Sequence, residues 1–250
     1  MDIAPRPPLR ISIVVPAFNE ERLLGASLGA IRAACAAFEQ LGWRWELVVC
    51  DNNSTDRTAE IAREAGARVV FEPVNQIARA RNAGAAAAAG NWLVFVDADS
   101  TPTPELFAEA AAAMAGGRCV AGGCTVAFPA DTGAAPRLVV GLWNLVSRAT
   151  RWAAGSFMFC EAAAFRALGG FSEALYASEE IELFRRLKRF ARRERRGVVI
   201  LHRHPLLTSA RKVRLYGWGE MSRFALKAIV SPGRTLRSRD ACHSWYDGRR

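Results

Sequence analysis

The sequence predicts an α/β protein with a mostly parallel central sheet and helices on both of its faces. Three observations predict it. Within the first hundred residues, short apolar runs alternate with helix-forming stretches four times. The apolar runs are near-continuous rather than alternating, as in strands covered on both faces. They end in polar or acidic residues near Asn19, at Asp51, and at Asp97 and Asp99. Open α/β sheets place their ligands at such strand ends.

The elements follow in order. Ile11–Ala17 (ISIVVPA) reads as a buried strand, and Phe18-Asn19-Glu20-Glu21 turns into a helix reaching about Gln40. Leu23, Leu24, Leu28, Ile31 and Cys35 give that helix an apolar face. Trp45–Cys50 is a second strand that runs into Asp51–Thr58, a turn rich in helix-capping residues. A helix to about Ala65 ends at Gly66, and Arg68–Phe71 is a short strand. Gln76–Ala89 is a helix carrying Arg79 and Arg81. Leu93–Asp99 (LVFVDAD) is the strand on which the rest is organised.

Thr103-Pro104-Glu105 then caps a helix, and Arg118–Phe128 is strand-like. Arg137–Trp152 has Leu138, Val139, Leu142, Trp143 and Val146 at near-helical spacing. This predicts a core-facing helix, the alternative being a lipid- or acceptor-facing one. Gly155–Cys160 is a strand, Ser178–Arg189 a helix, and Val198–Leu201 a final strand. A further helix is expected over Tyr216–Val230, and Arg234–Arg250 reads as a loose tail.

The chain has 250 residues and a formal net charge of +10, which points to an anionic partner such as nucleotide phosphate, acidic lipid or a polymer. Much of the excess lies between Arg185 and Arg196, where Glu194 is the one acid. The six cysteines are scattered through apolar segments without a C-x-x-C pair, as expected of reduced core residues in a cytosolic protein. The opening stretch MDIAPRPPLR lacks a signal-peptide pattern, and no window approaches the roughly 18 apolar residues of a membrane span. The expected location is cytoplasmic, either soluble or peripheral on the inner face of the membrane.

Asp97 and Asp99 are two apart, so in a regular strand both would point the same way. Two carboxylates held together stay ionised with a cation between them, and hard oxygen donors suit Mg²⁺ or Mn²⁺. Two solvated acids at a strand end are the plainer alternative. The glycine fingerprint of dinucleotide binding is absent, and so is a G-x-x-x-x-G-K phosphate loop. Neither a nicotinamide enzyme nor a P-loop protein is expected. His202 and His204 follow the final strand on one side and read as surface or core histidines, or as one added metal ligand.

With these residues in place, the chain resembles the family 2 glycosyltransferases of GT-A fold, over roughly Ile11 to Tyr216. VVPAFNEE at Val14–Glu21 is similar to the family's opening strand and nucleotide-facing loop, which implies donor contacts at Pro16, Phe18 and Glu20. DNNSTDRT resembles its acidic turn, with Asp51 toward the nucleoside base; Asn52 and Asn53 depart from the usual Asp-Gly. RARNAG is similar to the helix whose arginine, here Arg81, approaches the nucleotide. DAD resembles the motif that holds metal and ribose, implying Asp99 on Mn²⁺ or Mg²⁺ and Asp97 toward ribose or metal. GGFSEALYASEEIEL resembles the acceptor-side segment whose acidic pair carries the base; here the pair is Glu179-Glu180 rather than Glu-Asp. TSARK at Thr208–Lys212 is similar to a closing stretch, and Arg211 would reach the phosphates.

The resemblance implies one GT-A domain over residues 11–230, with a nucleotide-binding half at 11–100 and an acceptor half at 101–230. Residues 1–10 form an extension and 231–250 a basic tail. The implied activity is an inverting, metal-dependent transfer from a nucleotide-sugar donor to a glycan or lipid-linked acceptor. An anionic membrane surface is a further expected partner, and nucleic acid is not expected. The alternative is a non-catalytic, glycosyltransferase-like module that docks a partner. A sugar nucleotidylyltransferase would need a Gly-rich triphosphate loop that the sequence lacks. On a helix, Glu180 shares a face with Leu183, Phe184 and Leu187, whereas Glu179 lines up with Glu182, Leu183 and Arg186. Glu180 is therefore the expected catalytic base, and Glu179 the expected wetter neighbour.

Overall fold

The computed structural model describes residues 9–209, 211, 235–242 and 246. The elements run β1 (Arg10–Ala17), α1 (Leu24–Ala34), α2 (Ala36–Glu39), β2 (Arg44–Asp51), α3 (Thr58–Glu64), β3 (Arg68–Phe71), α4 (Ile77–Ala87) and β4 (Trp92–Val96). They continue with β5 (Ser100–Thr101), α5 (Pro104–Ala115), β6 (Cys119–Ala127), α6 (Ala134–Thr150), β7 (Phe157–Glu161), α7 (Ala162–Ala167), α8 (Glu179–Arg193) and β8 (Gly197–Thr208). The expected helix over Tyr216–Val230 lies outside the described residues, as do residues 1–8 of the expected extension.

Among the described residues the strands form one sheet in the order β3-β2-β1-β4-β7-β6-β8-β5. β1 is parallel to both β2 and β4, and β2 is parallel to β3. β7 is antiparallel between β4 and β6, while β8 runs parallel to β6 and carries the short β5. The chain thus works outward from β1 to β3, then returns to place β4 on the other side of β1. That reversal opens a crevice at the carboxyl ends of β1 and β4.

Strand alternation divides the core into two layers. Ile11, Ile13 and Val15 of β1, with Trp92, Val94 and Val96 of β4, pack against Leu24, Leu28, Ile31, Phe38 and Phe107. Val14, Leu93 and Phe95 turn the other way, toward Phe165, Phe171, Leu183 and Phe184. Asp97 continues the phase of Leu93 and Phe95, and is therefore directed toward α4 and α8. The approach of α4 to β1 is fixed at Gly84, where a Cβ would lie 2.5 Å from Val14 Cγ1. One helical turn before that contact stands Arg81.

Two expectations are corrected here. α6 does not turn the expected row to the core: Leu138, Val139 and Leu142 are exposed, and of that row Trp143 packs on it. Its inner row of Pro136, Val140, Trp143 and Ser147 meets the body, while Leu138, Leu142 and Leu145 face outward. Both rows are apolar, so periodicity alone could not choose between them. Nor is the described part of the tail loose: Cys242 and Tyr246 are buried with Ala177, against Ile77, Tyr176 and Leu236. All six cysteines are buried and free.

Candidate active site

The cleft at the β1–β4 reversal is built by two loops that brace each other. Asn19, at φ 52°, accepts the Thr55 N–H at 2.8 Å and donates its own N–H to Ser54 Oγ at 3.0 Å. The Glu20 N–H donates to Thr58 Oγ1 at 2.7 Å, and the Glu21 N–H to Asp56 at 3.1 Å. The Asp51–Thr58 turn therefore holds the Phe18–Glu21 loop in position. Asn52 secures the third side: its Nδ2 donates to the carbonyls of Glu72 and Val74, and its Oδ1 accepts the Gln76 N–H.

Pro16, Phe18, Glu20, Asp97, Asp99 and Arg211 all line this cleft, six of the positions expected from sequence. Asn52, Asn75, Ile77 and Tyr246 line it as well and were not anticipated. Tyr246 was hidden by the absence of periodicity in the tail; its hydroxyl donates to the Tyr176 carbonyl at 2.8 Å. Asp51 is buried at the end of β2 but does not line the cleft, and its Oδ1 accepts the Ser54 N–H at 3.0 Å. His202 lines a separate cleft with Arg118, Arg148 and Arg151, and neither His202 nor His204 lines the one holding Asp97 and Asp99.

Asp97 and Asp99 do not lie side by side on a strand, as regular alternation predicts. β4 ends at Val96, and the Ser100 N–H closes a turn onto the Asp97 carbonyl at 3.1 Å. The two carboxylates line the same cleft but take different partners. Asp97 Oδ1 accepts Arg81 Nη2 at 2.9 Å, whereas Asp99 Oδ2 lies 3.5 Å from Arg211 Nη2. Arg211 also grips Glu20 with two bonds, at 2.8 and 2.7 Å.

Arg81, expected to approach the nucleotide, is not among the residues that line the cleft but is bonded to Asp97, which is. Arg81 is 1% exposed. Nη1 donates to Glu179 Oε1 at 2.6 Å, and Nη2 donates to Asp97 and to the Gly155 carbonyl, each at 2.9 Å. Its guanidinium carbon sits 5.4 Å from the centre of the Phe171 ring. Desolvation opposes its charge, but Asp97, Glu179 and Glu180 outweigh that and hold its pKa above the usual arginine value. One buried cation thus joins the acid after β4 to the acidic pair opening α8. Sequence carried a signal: Arg81 lies on the small-residue row of Ala78 and Ala85.

The phase expected for the acidic pair is also corrected. Glu179 is the buried member, because the row 179, 183, 187, 191 runs along the core side of α8. Ser178, immediately before it, has φ 62°, which turns the chain into the helix. Glu180 lies beside Gly155: a Cβ on that glycine would be 3.6 Å from Glu180 Cδ and 3.0 Å from Arg81 Nη2. Desolvation first, and then the Glu179 carboxylate, push the Glu180 pKa up from 4.5 to about 8, against the lowering effect of Arg81. A carboxyl tuned to that range suits proton transfer near neutral pH.

Residues 12–167 match the family described as glycosyl transferase family 2. An uncharacterized glycosyltransferase of Mycobacterium tuberculosis is 39% identical over 103 residues, covering 40% of this chain and 43% of the relative. The undecaprenyl-phosphate 4-deoxy-4-formamido-L-arabinose transferase of Edwardsiella ictaluri is 36% identical over 107 residues, covering 38% and 30%. The matches therefore span less than half the length of these relatives. Among solved structures, a mannosyltransferase of Pyrobaculum calidifontis in complex with GDP-Man and Mn²⁺ aligns with TM-score 0.67 at 20% identity, covering 99% of this chain and 76% of that one. Glucosyl-3-phosphoglycerate synthase of M. tuberculosis, in complex with Mn²⁺, UDP and glucosyl-3-phosphoglycerate, aligns with TM-score 0.61 at 22% identity, covering 89% and 79%. These structural likenesses establish the GT-A fold.

Proposed function

The chain belongs to glycosyl transferase family 2, and from that premise we propose that it transfers a sugar from a nucleotide-sugar donor to an acceptor hydroxyl, with a divalent cation and with inversion. The observation that carries this reading is the convergence of Asp97, Asp99 and Arg211 in a cleft at the sheet's reversal point, with Glu180 close behind.

The donor set fits Mn²⁺ or Mg²⁺. Asp97 and Asp99 are hard oxygen donors, and no group of three or more acids, histidines or cysteines converges among the described residues. Such a pair holds a cation whose remaining positions come from water and substrate phosphate. Asp99 and Asp97 would hold the cation, which would supply positive charge toward the leaving diphosphate. Arg211 adds a protein-borne positive charge on the same side, now shared between Glu20 and Asp99. Pro16, Phe18 and Glu20 are the proposed donor-side contacts, with Asp51 stiffening the turn beneath them. Arg81 acts as a positioning residue, fixing Asp97 relative to the acidic pair.

Glu180 is the proposed base. It accepts the acceptor hydroxyl's proton as that oxygen attacks the anomeric carbon and the nucleoside diphosphate departs from the opposite face. A single displacement inverts the configuration. The pair opening α8 supplies one free-standing carboxyl, Glu180, because Glu179 is bonded to Arg81. The proposed acceptor is a glycan or lipid-linked hydroxyl, and the proposed place of work is the cytoplasmic side of a membrane. We assign residues 11–100 to donor binding and residues 101–230 to the acceptor side.

The test is release of nucleoside diphosphate from a panel of nucleotide sugars by the purified chain, with Mn²⁺ and with EDTA. Mn²⁺-dependent release with one donor is expected. No turnover with any donor or acceptor would favour the non-catalytic module. A pH series gives a second prediction. Glu180 must be deprotonated to act, so kcat/KM rises about tenfold per pH unit below pH 8 and levels off above it. In Glu179→Gln a neighbouring negative charge is gone, so the inflection moves to lower pH. An unshifted profile would remove Glu180 from this role.

A further inference from the structure

α6 presents an apolar ridge to solvent. Leu138 is 75% exposed, and Leu142 and Leu145 are each 62% exposed, one above another on the outer face. The opposite row is already seated on the body: Val140 and Trp143 pack on the core, and Asn144 makes two hydrogen bonds to the Val126 backbone. The ridge therefore cannot be buried by rolling the helix inward. Exposed aliphatic clusters of this kind mark contact surfaces.

The charges on α6 itself are all of one sign, the nearest acid in sequence being Asp131 ahead of the helix. Residues 134–151 contain Arg137, Arg148 and Arg151 and no acid. Beyond the end of α6 lies the basic face of α8. Lys188 Nζ donates to the Thr150 carbonyl at 2.6 Å, and the Arg185 guanidinium stacks 4.9 Å from the Trp152 ring centre. Arg185, Arg189 and Arg192 are exposed. Burial, and then the crowding of Arg192, Arg151 and Arg185, hold Lys188 below the usual lysine range. Arg186 is excluded from this set because it is tied to Glu182 and to the carbonyls of Leu168 and Gly170.

We propose that the outer face of α6 and the adjoining basic face of α8 form a surface that docks on an anionic lipid membrane. A polyanion would use the arginines but has no need of a leucine ridge. A second copy of this chain would bring its own arginines against these. An anionic bilayer satisfies both features, with leucines in the acyl boundary and arginines at the headgroups. The chain leaving α6 reaches Gly155, whose carbonyl takes Arg81. The ridge and the proposed acceptor side are thus joined by one short segment. The link to a lipid-borne acceptor rests on the reading of function given above, whereas docking itself does not require turnover.

The test is flotation of the full chain with vesicles of phosphatidylcholine containing about one-third phosphatidylglycerol, and with phosphatidylcholine alone. Binding to the anionic vesicles at low ionic strength is expected, with loss at high ionic strength. Arg148→Gln with Arg192→Gln should weaken binding roughly fivefold for each charge removed. A triple variant, Leu138→Gln, Leu142→Gln and Leu145→Gln, should lose at least about tenfold while donor hydrolysis is retained, since these side chains lie in solvent. No flotation of the wild type at low ionic strength overturns the proposal. So does equal binding to neutral vesicles, or anionic binding that the leucine triple leaves intact, which would indicate a polyanion site. A wild-type dimer that the triple variant dissociates, with no vesicle binding, would instead assign the ridge to self-association. If donor hydrolysis is absent but flotation behaves as expected, the docking surface stands and the catalytic reading falls.

Discussion

Glu180→Gln lowers kcat by roughly 10²-fold or more while leaving donor affinity unchanged. The carboxamide keeps the size and most of the hydrogen bonding of the carboxylate but cannot accept a proton. Glu180 does not line the cleft that holds Asp97 and Asp99, so donor binding has no direct dependence on it. Its carboxyl lies beside Gly155 and next to Arg81. Steady-state kinetics, paired with calorimetry of nucleoside diphosphate, separates the two effects. Glu179→Gln should cost less in turnover and more in stability, since it removes the negative charge that pairs with a buried guanidinium. The reverse ranking would transfer the role of base to Glu179.

Arg81→Met destabilises the fold by about 3–5 kcal/mol, because a buried ion pair then loses its cation. The Glu179 side chain is 4% exposed and has Arg81 as its ion-pair partner at 2.6 Å. Adding Glu179→Gln to Arg81→Met should recover a large share of that loss, since the stranded carboxylate is gone. Denaturant unfolding of the wild type, both single variants and the double variant closes the cycle. Additive losses would show that the two side chains do not act together. Activity should fall in Arg81→Met even under conditions where it is folded, because Asp97 is no longer held at 2.9 Å.

Much of residues 11–100 was legible in the sequence because the signals there are local. ISIVVPA, WELVVC and LVFV are apolar runs that end in polar residues, and the sheet places those ends around one crevice. What escaped depends on phase. Asp97 and Asp99 were read as strand neighbours, but β4 stops at Val96 and a turn separates them. Glu179 and Glu180 each have apolar residues at helical offsets, so the offsets could not rank them. The four-residue spacing of 179, 183, 187 and 191 decides which is buried, and that row becomes evident once α8 is seen against the sheet. α6 carries two apolar rows, and the interior accepts one. Arg81 was read by its charge, although its row of small residues marks it as a buried position. Tyr246 reaches the cleft through tertiary packing that no periodic pattern announces.

The account turns on Asp97 and Asp99 forming a metal-dependent donor site, and the most direct test is calorimetric titration of nucleoside diphosphate into wild type and Asp99→Asn, with and without Mn²⁺. Asp99 lies 3.5 Å from Arg211, whereas Arg81 is bonded to Asp97, so the asparagine should leave the buried Arg81 network untouched and the fold intact. The wild type should bind more tightly when Mn²⁺ is present, and Asp99→Asn should lose that increment. Its thermal melt should match the wild type. Unchanged Mn²⁺-dependent affinity in a folded Asp99→Asn would contradict the assignment of this cleft as the metal and donor site.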